Sequence, residues 1–181
     1  MSIEWLIAAL LATAVALAWW RHRATRRPPG TPPWMPRALW GAELAWAERT
    51  FRSQRRRLVA RVDRAYRHGG RIVLLELKTR SANAVYDADI IELSVQRAAI
   101  EDATGERVAP RAWVLVEDVD SGWRTPHEVE LLDDADLDLL TQRYRQLRGG
   151  QLHDAEPPVN PSACRSCGHL DRCQARFRDR C

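Results

Sequence analysis

Two runs of strand-forming residues meet at a tight turn near the middle of the chain, and that pairing limits the possible folds more than any other feature. Leu58 to Tyr66 (LVARVDRAY) alternates, His68-Gly69-Gly70 supplies the turn, and Arg71 to Arg80 (RIVLLELKTR) is an apolar run rich in strand formers. The hairpin is followed by Asp87 to Thr104, whose spacing predicts a helix. Ile91, Val95, Ala98 and Asp102 fall on one stripe with Leu93, Gln96 and Ile100 beside it, and Gly105 ends the helix. Arg111 to Asp118 (RAWVLVED) predicts another buried strand, and Asp133 to Arg148 a helix stopped by Gly149-Gly150. Upstream, Leu39, Ala42, Trp46 and Arg49 recur at three to four residues, so Arg37 to Arg57 is also expected to be helical. The order α-β-β-α-β-α predicts one α/β layered domain.

Period-two alternation in the second strand puts Ile72, Leu74, Glu76 and Lys78 on one face and Val73, Leu75 and Leu77 on the other. An acid and an amine on an apolar strand are costly unless something compensates them. A divalent cation shared with Asp63 on the partner strand would do so, since hard cations take carboxylate oxygens. The single lysine strengthens this reading. Of 28 basic residues every one but Lys78 is arginine, so charge alone does not explain its choice. A compact ammonium can orient an attacking water or stabilise a pentavalent phosphorane in ways a planar guanidinium does not. A surface Glu76–Lys78 pair is the plainer alternative.

With these residues in place, the sequence resembles the RecB-like branch of the PD-(D/E)XK nucleases, which includes the CRISPR-associated adaptation nuclease and AddB-type exonuclease domains. The likeness covers about Leu39 to Cys173. Asp63 in VARVD matches the second-motif aspartate, Glu76-Leu77-Lys78 the E-x-K, Gln96 in ELSVQRAAI the helical glutamine, and Glu43 in GAELAWAE the first-motif acid. Ala45 stands where relatives often carry His, and Ile100 where an aromatic is usual. The resemblance implies a restriction-endonuclease-like core, a central mixed sheet flanked by helices. It further implies catalytic Asp63, Glu76, Lys78 and Gln96, with Mg2+ or Mn2+ held by Glu43, Asp63, Glu76 and Leu77.

Residues 21 to 67 carry thirteen arginines against three acids, a density that suits a phosphate backbone or an anionic membrane surface. Arg55, Arg56, Arg57, Arg61, Arg64 and Arg67 are the expected phosphate contacts, a solvated basic face being the alternative for each. Trp5 to Trp20 is an uncharged apolar run of 16 residues with tryptophans at both ends and arginines following. It predicts a single-pass anchor over residues 1–20 in the inner (cytoplasmic) membrane, with the soluble domain in the cytoplasm. A cleaved signal peptide is the alternative, disfavoured because no basic residue precedes the run. Five prolines in Pro28 to Pro36 predict a stiff extended tether, so residues 21–36 form a basic, Pro-rich linker, 37–156 the nuclease-like domain and 157–181 a tail.

The tail holds all four cysteines, Cys164, Cys167, Cys173 and Cys181. Four clustered thiolates suit either tetrahedral zinc or a four-iron four-sulfur cluster. The C-x2-C-x5-C spacing resembles the iron-sulfur members of the same nuclease branch, which implies a 4Fe-4S cluster.

Together these readings predict a membrane-anchored, metal-dependent nuclease acting on single-stranded DNA or duplex ends, in repair, recombination or defence. Two other classes compete with it. One is a catalytically inactive, membrane-tethered DNA-binding or interaction module with a structural Fe-S or Zn site. The other is a membrane redox protein using the cysteine cluster, which leaves Asp63, Glu76 and Lys78 unexplained.

Overall fold

The computed structural model describes residues 11–20 and 27–150. Its centre is the expected hairpin, β2 (Leu58–His68) and β3 (Arg71–Arg80), paired antiparallel from Arg64↔Leu75 to His68↔Arg71. Gly69 and Gly70 both have positive φ, +56° and +74°, which a two-residue hairpin turn requires and which side chains with a Cβ resist. β3 then pairs parallel with β4 (Arg111–Asp118), in register Lys78↔Val116. Parallel neighbours need a crossover, and helix α1 (Asp87–Thr104) provides it, ending at Gly105 with φ +72°.

The sheet has five strands in the order β1-β2-β3-β4-β5. On one face Leu93, Ala99 and Ile100 of α1 pack with Val62, Ile72, Leu74, Val114 and Val116. On the other, Leu39, Tyr66, Leu75 and Leu115 gather with Trp34, Met35, Val73 and Trp113 around them. The alternation expected along β3 is therefore present: Ile72 and Leu74 face α1, Val73 and Leu75 face away. A second helix, α2 (Asp134–Arg148), follows the sheet. The chain divides into two compact units, Met1–Leu137 and Asp138–Cys181, and the sheet with α1 belongs to the first.

Several expectations are corrected. Arg37 to Arg57 is not a helix: only Arg37–Leu39 makes a 3-10 turn, and β1 (Glu43–Ser53) is an edge strand paired with β2 from Glu43↔Arg67 to Ser53↔Leu58. Trp46 and Phe51 stack edge to face there with ring centroids 4.9 Å apart. Cross-strand pairing and burial of Phe51 outweigh the modest helix propensity of ELAWAER. A further strand, β5 (Arg124–Glu130), lies at the opposite edge, antiparallel to β4. Its Pro126 is tolerated because an edge strand has one side without ladder partners. The proline-rich segment is turned rather than extended. Thr31 N–H donates to Pro28 O and Met35 N–H to Pro32 O, each at 3.1 Å, and Trp34 and Met35 pack on the second face of the sheet.

The transmembrane anchor predicted at residues 1–20 is overturned. Residues 11–20 are helical. Among the described residues no helix is long and apolar enough to cross a membrane. The single-pass inner-membrane localisation that depended on it falls with it. Residues 1–10 lie outside the described residues, as do Cys164, Cys167, Cys173 and Cys181.

Candidate active site

The site forms where β2 and β3 splay beyond their ladder. Val62 and Ala65 both belong to the core beneath α1 although they are three residues apart, so alternation breaks at Asp63-Arg64, where the ladder with β3 ends, while the register with β1 shifts between Leu44 and Trp46. Just beyond the ladder Asp63 Oδ2 accepts the Leu77 N–H at 3.0 Å. That bond fixes Asp63 beside Glu76.

Glu76 continues the α1-facing row after Ile72 and Leu74 and is 3% exposed. Its two oxygens have separate partners: Oε1 accepts from Lys78 Nζ at 2.8 Å, and Oε2 from Gln96 Nε2 at 2.8 Å. Burial pushes its pKa up to about 7, only partly opposed by the bonds from Lys78 and Gln96, and the nearby charges of Asp63 and Glu92 push the same way. Two carboxylates held together in a poorly solvated place are destabilised when both ionise, and a bound cation would relieve that repulsion.

Lys78 lies between two acids, donating to Glu76 Oε1 and, at 2.7 Å, to Glu92 Oε2. Burial opposes its charge, but the hydrogen bonds and charges of Glu76 and Glu92 outweigh burial and raise its pKa. The ammonium therefore stays protonated at neutral pH. Gln96 is fully buried; its Nε2 also donates to Arg61 O at 3.1 Å, while Oε1 has no partner among the described residues. The amide bridges β2 and β3 from α1.

Glu43, by contrast, is not brought to this cluster. It pairs with Arg67, four residues along β2 from Asp63, or roughly 13 Å at about 3.3 Å per residue. The acid that β1 does bring opposite Asp63 is Glu48, since Ala47 pairs with Arg64 and Arg49 with Val62. Glu48 has φ +50° and an ion pair with Arg61 at 2.8 Å. A strand reading of β1 was needed to find it. Glu92 was missed as well, although its place four residues before Gln96 on the same helix face was a signal that could have found it.

The six arginines expected at phosphates are dispersed. Arg56 is buried and paired with Asp134 at 3.1 Å. Arg61 pairs with Glu48, Arg67 with Glu106, and Arg55 takes Asp102 through its backbone N–H at 3.2 Å. Arg64 lies over the Trp34 ring at 5.3 Å, and Arg57 occupies the β1–β2 turn with φ +52°. Ile100 is a core residue beneath the sheet, consistent with the lack of an aromatic there.

Among the described residues no group of three or more His, Cys, Asp and Glu side chains is assembled to hold a metal. The set that converges is Asp63 and Glu76, two hard oxygen donors of the kind Mg2+ or Mn2+ takes, with remaining positions left to water and substrate oxygens. This pair fits a divalent cation.

A family model described as the PD-(D/E)XK nuclease superfamily matches residues 2–174 of the chain. The chain is also similar to a solved structure described as the crystal structure of SSO0001, with 17% identity, a TM-score of 0.47, and 93% of this chain and 71% of that one covered. No curated protein matches.

Proposed function

The chain belongs to the PD-(D/E)XK nuclease superfamily, and from that premise we propose that it hydrolyses phosphodiester bonds of DNA at the cluster of Asp63, Glu76 and Lys78. The observation that carries this reading is Glu76, a buried carboxyl raised to about 7, with Lys78 on one oxygen and Gln96 on the other. A merely structural strand residue would not require so costly a group.

Asp63 and Glu76 would hold Mg2+ or Mn2+. When bound, the cation supplies positive charge against the phosphate oxygens and activates water. The chain's own groups do the rest. Leu77 N–H aims Asp63, and Gln96 aims Glu76 while excluding water from behind it. Lys78, kept charged by Glu76 and Glu92, stabilises the negative charge that grows on the phosphate. A protonated Lys78 does not accept the water's proton, which favours the charge-stabilising role over general-base work.

A second reading, a nucleic-acid-binding module without turnover, draws on the metal donors: among the described residues no group of three or more potential ligands is assembled, which leaves Asp63 and Glu76 to hold a cation. One experiment separates the two. The full chain is titrated with Mg2+ and Mn2+ on labelled single-stranded and duplex DNA, beside Asp63→Asn. Cation-dependent cleavage that Asp63→Asn lacks supports the nuclease; DNA binding without cleavage under either cation sinks it.

A further inference from the structure

Beside the candidate active site the same face of the sheet carries a cavity of about 390 Å³ whose lining includes Arg80, Asn83, Val116, Ser121, Trp123 and Thr125. Its position follows from register. Lys78 pairs with Val116, and Val116 with Thr125. Paired residues share a face, and neighbouring strands lie about 4.8 Å apart. The cavity floor therefore begins one strand away from the Lys78 ammonium.

Trp123 is 75% exposed, the highest value among the described large apolar side chains. Nothing about the turn that carries it is loose. Asp118 N–H donates to Trp123 O and Gly122 N–H to Asp118 O, both at 2.9 Å. Asp118 Oδ1 accepts both the N–H and the hydroxyl of Ser121, whose Oγ accepts the Trp123 N–H at 3.3 Å. The indole is thus exposed on a fixed mount, and it also borders a second recess with Pro33, Trp34 and Arg124. Arg64 and Arg124 both lie over the Trp34 ring, at 5.3 and 5.8 Å, so the recess combines aromatic faces with cationic groups. Asn83, which also lines the cavity, is tied to His127 by a 2.7 Å bond.

We propose that this cavity receives an unpaired base of the substrate strand, stacked on Trp123, while the backbone of that strand runs past Lys78. The inference rests on the nuclease reading and adds to it a base-binding subsite, through which the enzyme would select single-stranded nucleic acid or frayed ends. Polar walls suit the edges of a base, an exposed indole suits its face, and the volume lies within the usual range of about 300–1,000 Å³ for a small-ligand site. A base inside an intact duplex cannot enter without being flipped out.

The test uses the full chain in EDTA, titrated against a labelled oligothymidine, the same strand with abasic sites, and a blunt duplex. Wild type should bind the thymidine strand roughly 5- to 150-fold more tightly than the abasic strand, the range expected of one base–aromatic stack. Trp123→Ala should lose that preference with duplex affinity unchanged, and Trp123→Phe should keep most of it. Equal binding of the two strands by wild type overturns the proposal, and so does a Trp123→Ala variant that retains the preference. Should circular dichroism show that Trp123→Ala misfolds, the wild-type comparison and Trp123→Phe still decide. Binding is read without divalent cation, so failure to cleave in Mg2+ or Mn2+ would remove the nuclease reading and leave this result standing.

Discussion

At the residue scale the site is a chain of hydrogen bonds, Gln96 to Glu76 to Lys78 to Glu92, that runs from the core to the surface at the end of β3. Lys78 holds its place by size as much as by charge, because its ammonium meets two carboxylates at 2.7 and 2.8 Å. A guanidinium is larger and planar and cannot occupy that point. Lys78→Arg is expected to lower cleavage roughly 100-fold or more with circular dichroism and DNA affinity nearly unchanged; wild-type turnover by this variant would refute the role given to Lys78. Gln96 acts through Glu76. Gln96→Ala leaves Glu76 Oε2 buried without its donor, which should destabilise the fold by about 1–3 kcal/mol. Loss of a supporting hydrogen bond commonly weakens metal binding about 10- to 100-fold, and calorimetry with Mn2+ reads that directly. Unchanged Mn2+ affinity would make Gln96 a packing residue only. Strand alternation alone put Glu76 and Lys78 on one face of β3, whereas Asp63 was singled out by its place on the partner strand and by family likeness; Glu48 was missed, because its strand was read as a helix.

At the scale of elements, α1 is fastened to β3 by a second polar contact farther along the same row. Arg80 forks onto Asp89, Nη1 to Oδ2 at 3.1 Å and Nη2 to Oδ1 at 2.9 Å, and Tyr86 N–H donates to Oδ2 at 2.9 Å. Burial alone would raise the Asp89 pKa, but the bonds from Arg80 and Tyr86 prevail and hold it below the usual aspartate value. A depressed carboxylate stabilises the fold fully above its unfolded value of about 3.9, and that contribution disappears as pH falls through the lower folded value. Asp89→Asn should therefore be less stable than wild type at pH 7, by about 1.5–3 kcal/mol for lost charged hydrogen bonds, and the gap should close below about pH 4. Urea denaturation at both pH values checks it; a gap that persists in acid would point to packing. This helix was read from sequence with its ends correct, Asp87 to Thr104, yet its buried stripe runs through Asp89, Leu93, Gln96 and Ile100, while Ile91 is exposed. Two polar members of that stripe serve β3 rather than the apolar core, so hydrophobic spacing alone misplaced the face. Both edge strands were missed for a related reason. β1 and β5 are defined by their partners β2 and β4, and neither has the continuous apolar run that marks a strand covered on both faces.

For the whole molecule the unequal distribution of charge is the governing feature. The chain carries a formal +4, with thirteen arginines against three acids between residues 21 and 67, and sequence alone presents that segment as an electrostatic footprint for phosphate. The folded structure narrows this, because Arg55, Arg56, Arg61 and Arg67 engage Asp102, Asp134, Glu48 and Glu106. Acids drawn from β1, α1, the segment after α1 and the first residue of α2 meet these arginines, and no local reading of the arginine-rich stretch could anticipate them. A cation committed to an internal partner releases fewer counterions on binding DNA, so the salt dependence of affinity counts those that remain. For a single strand the slope of log K against log salt is about −0.7 per phosphate neutralised. If two or three cations such as Arg52, Arg57 and Arg64 make the contacts, the slope should lie near −1.4 to −2.1. Anisotropy titrations of a short single strand across a range of salt concentrations, in EDTA, measure it. A slope steeper than about −4 would mean that the internal ion pairs open and all six arginines of residues 55–67 turn to the phosphates, making the basic segment itself the docking surface.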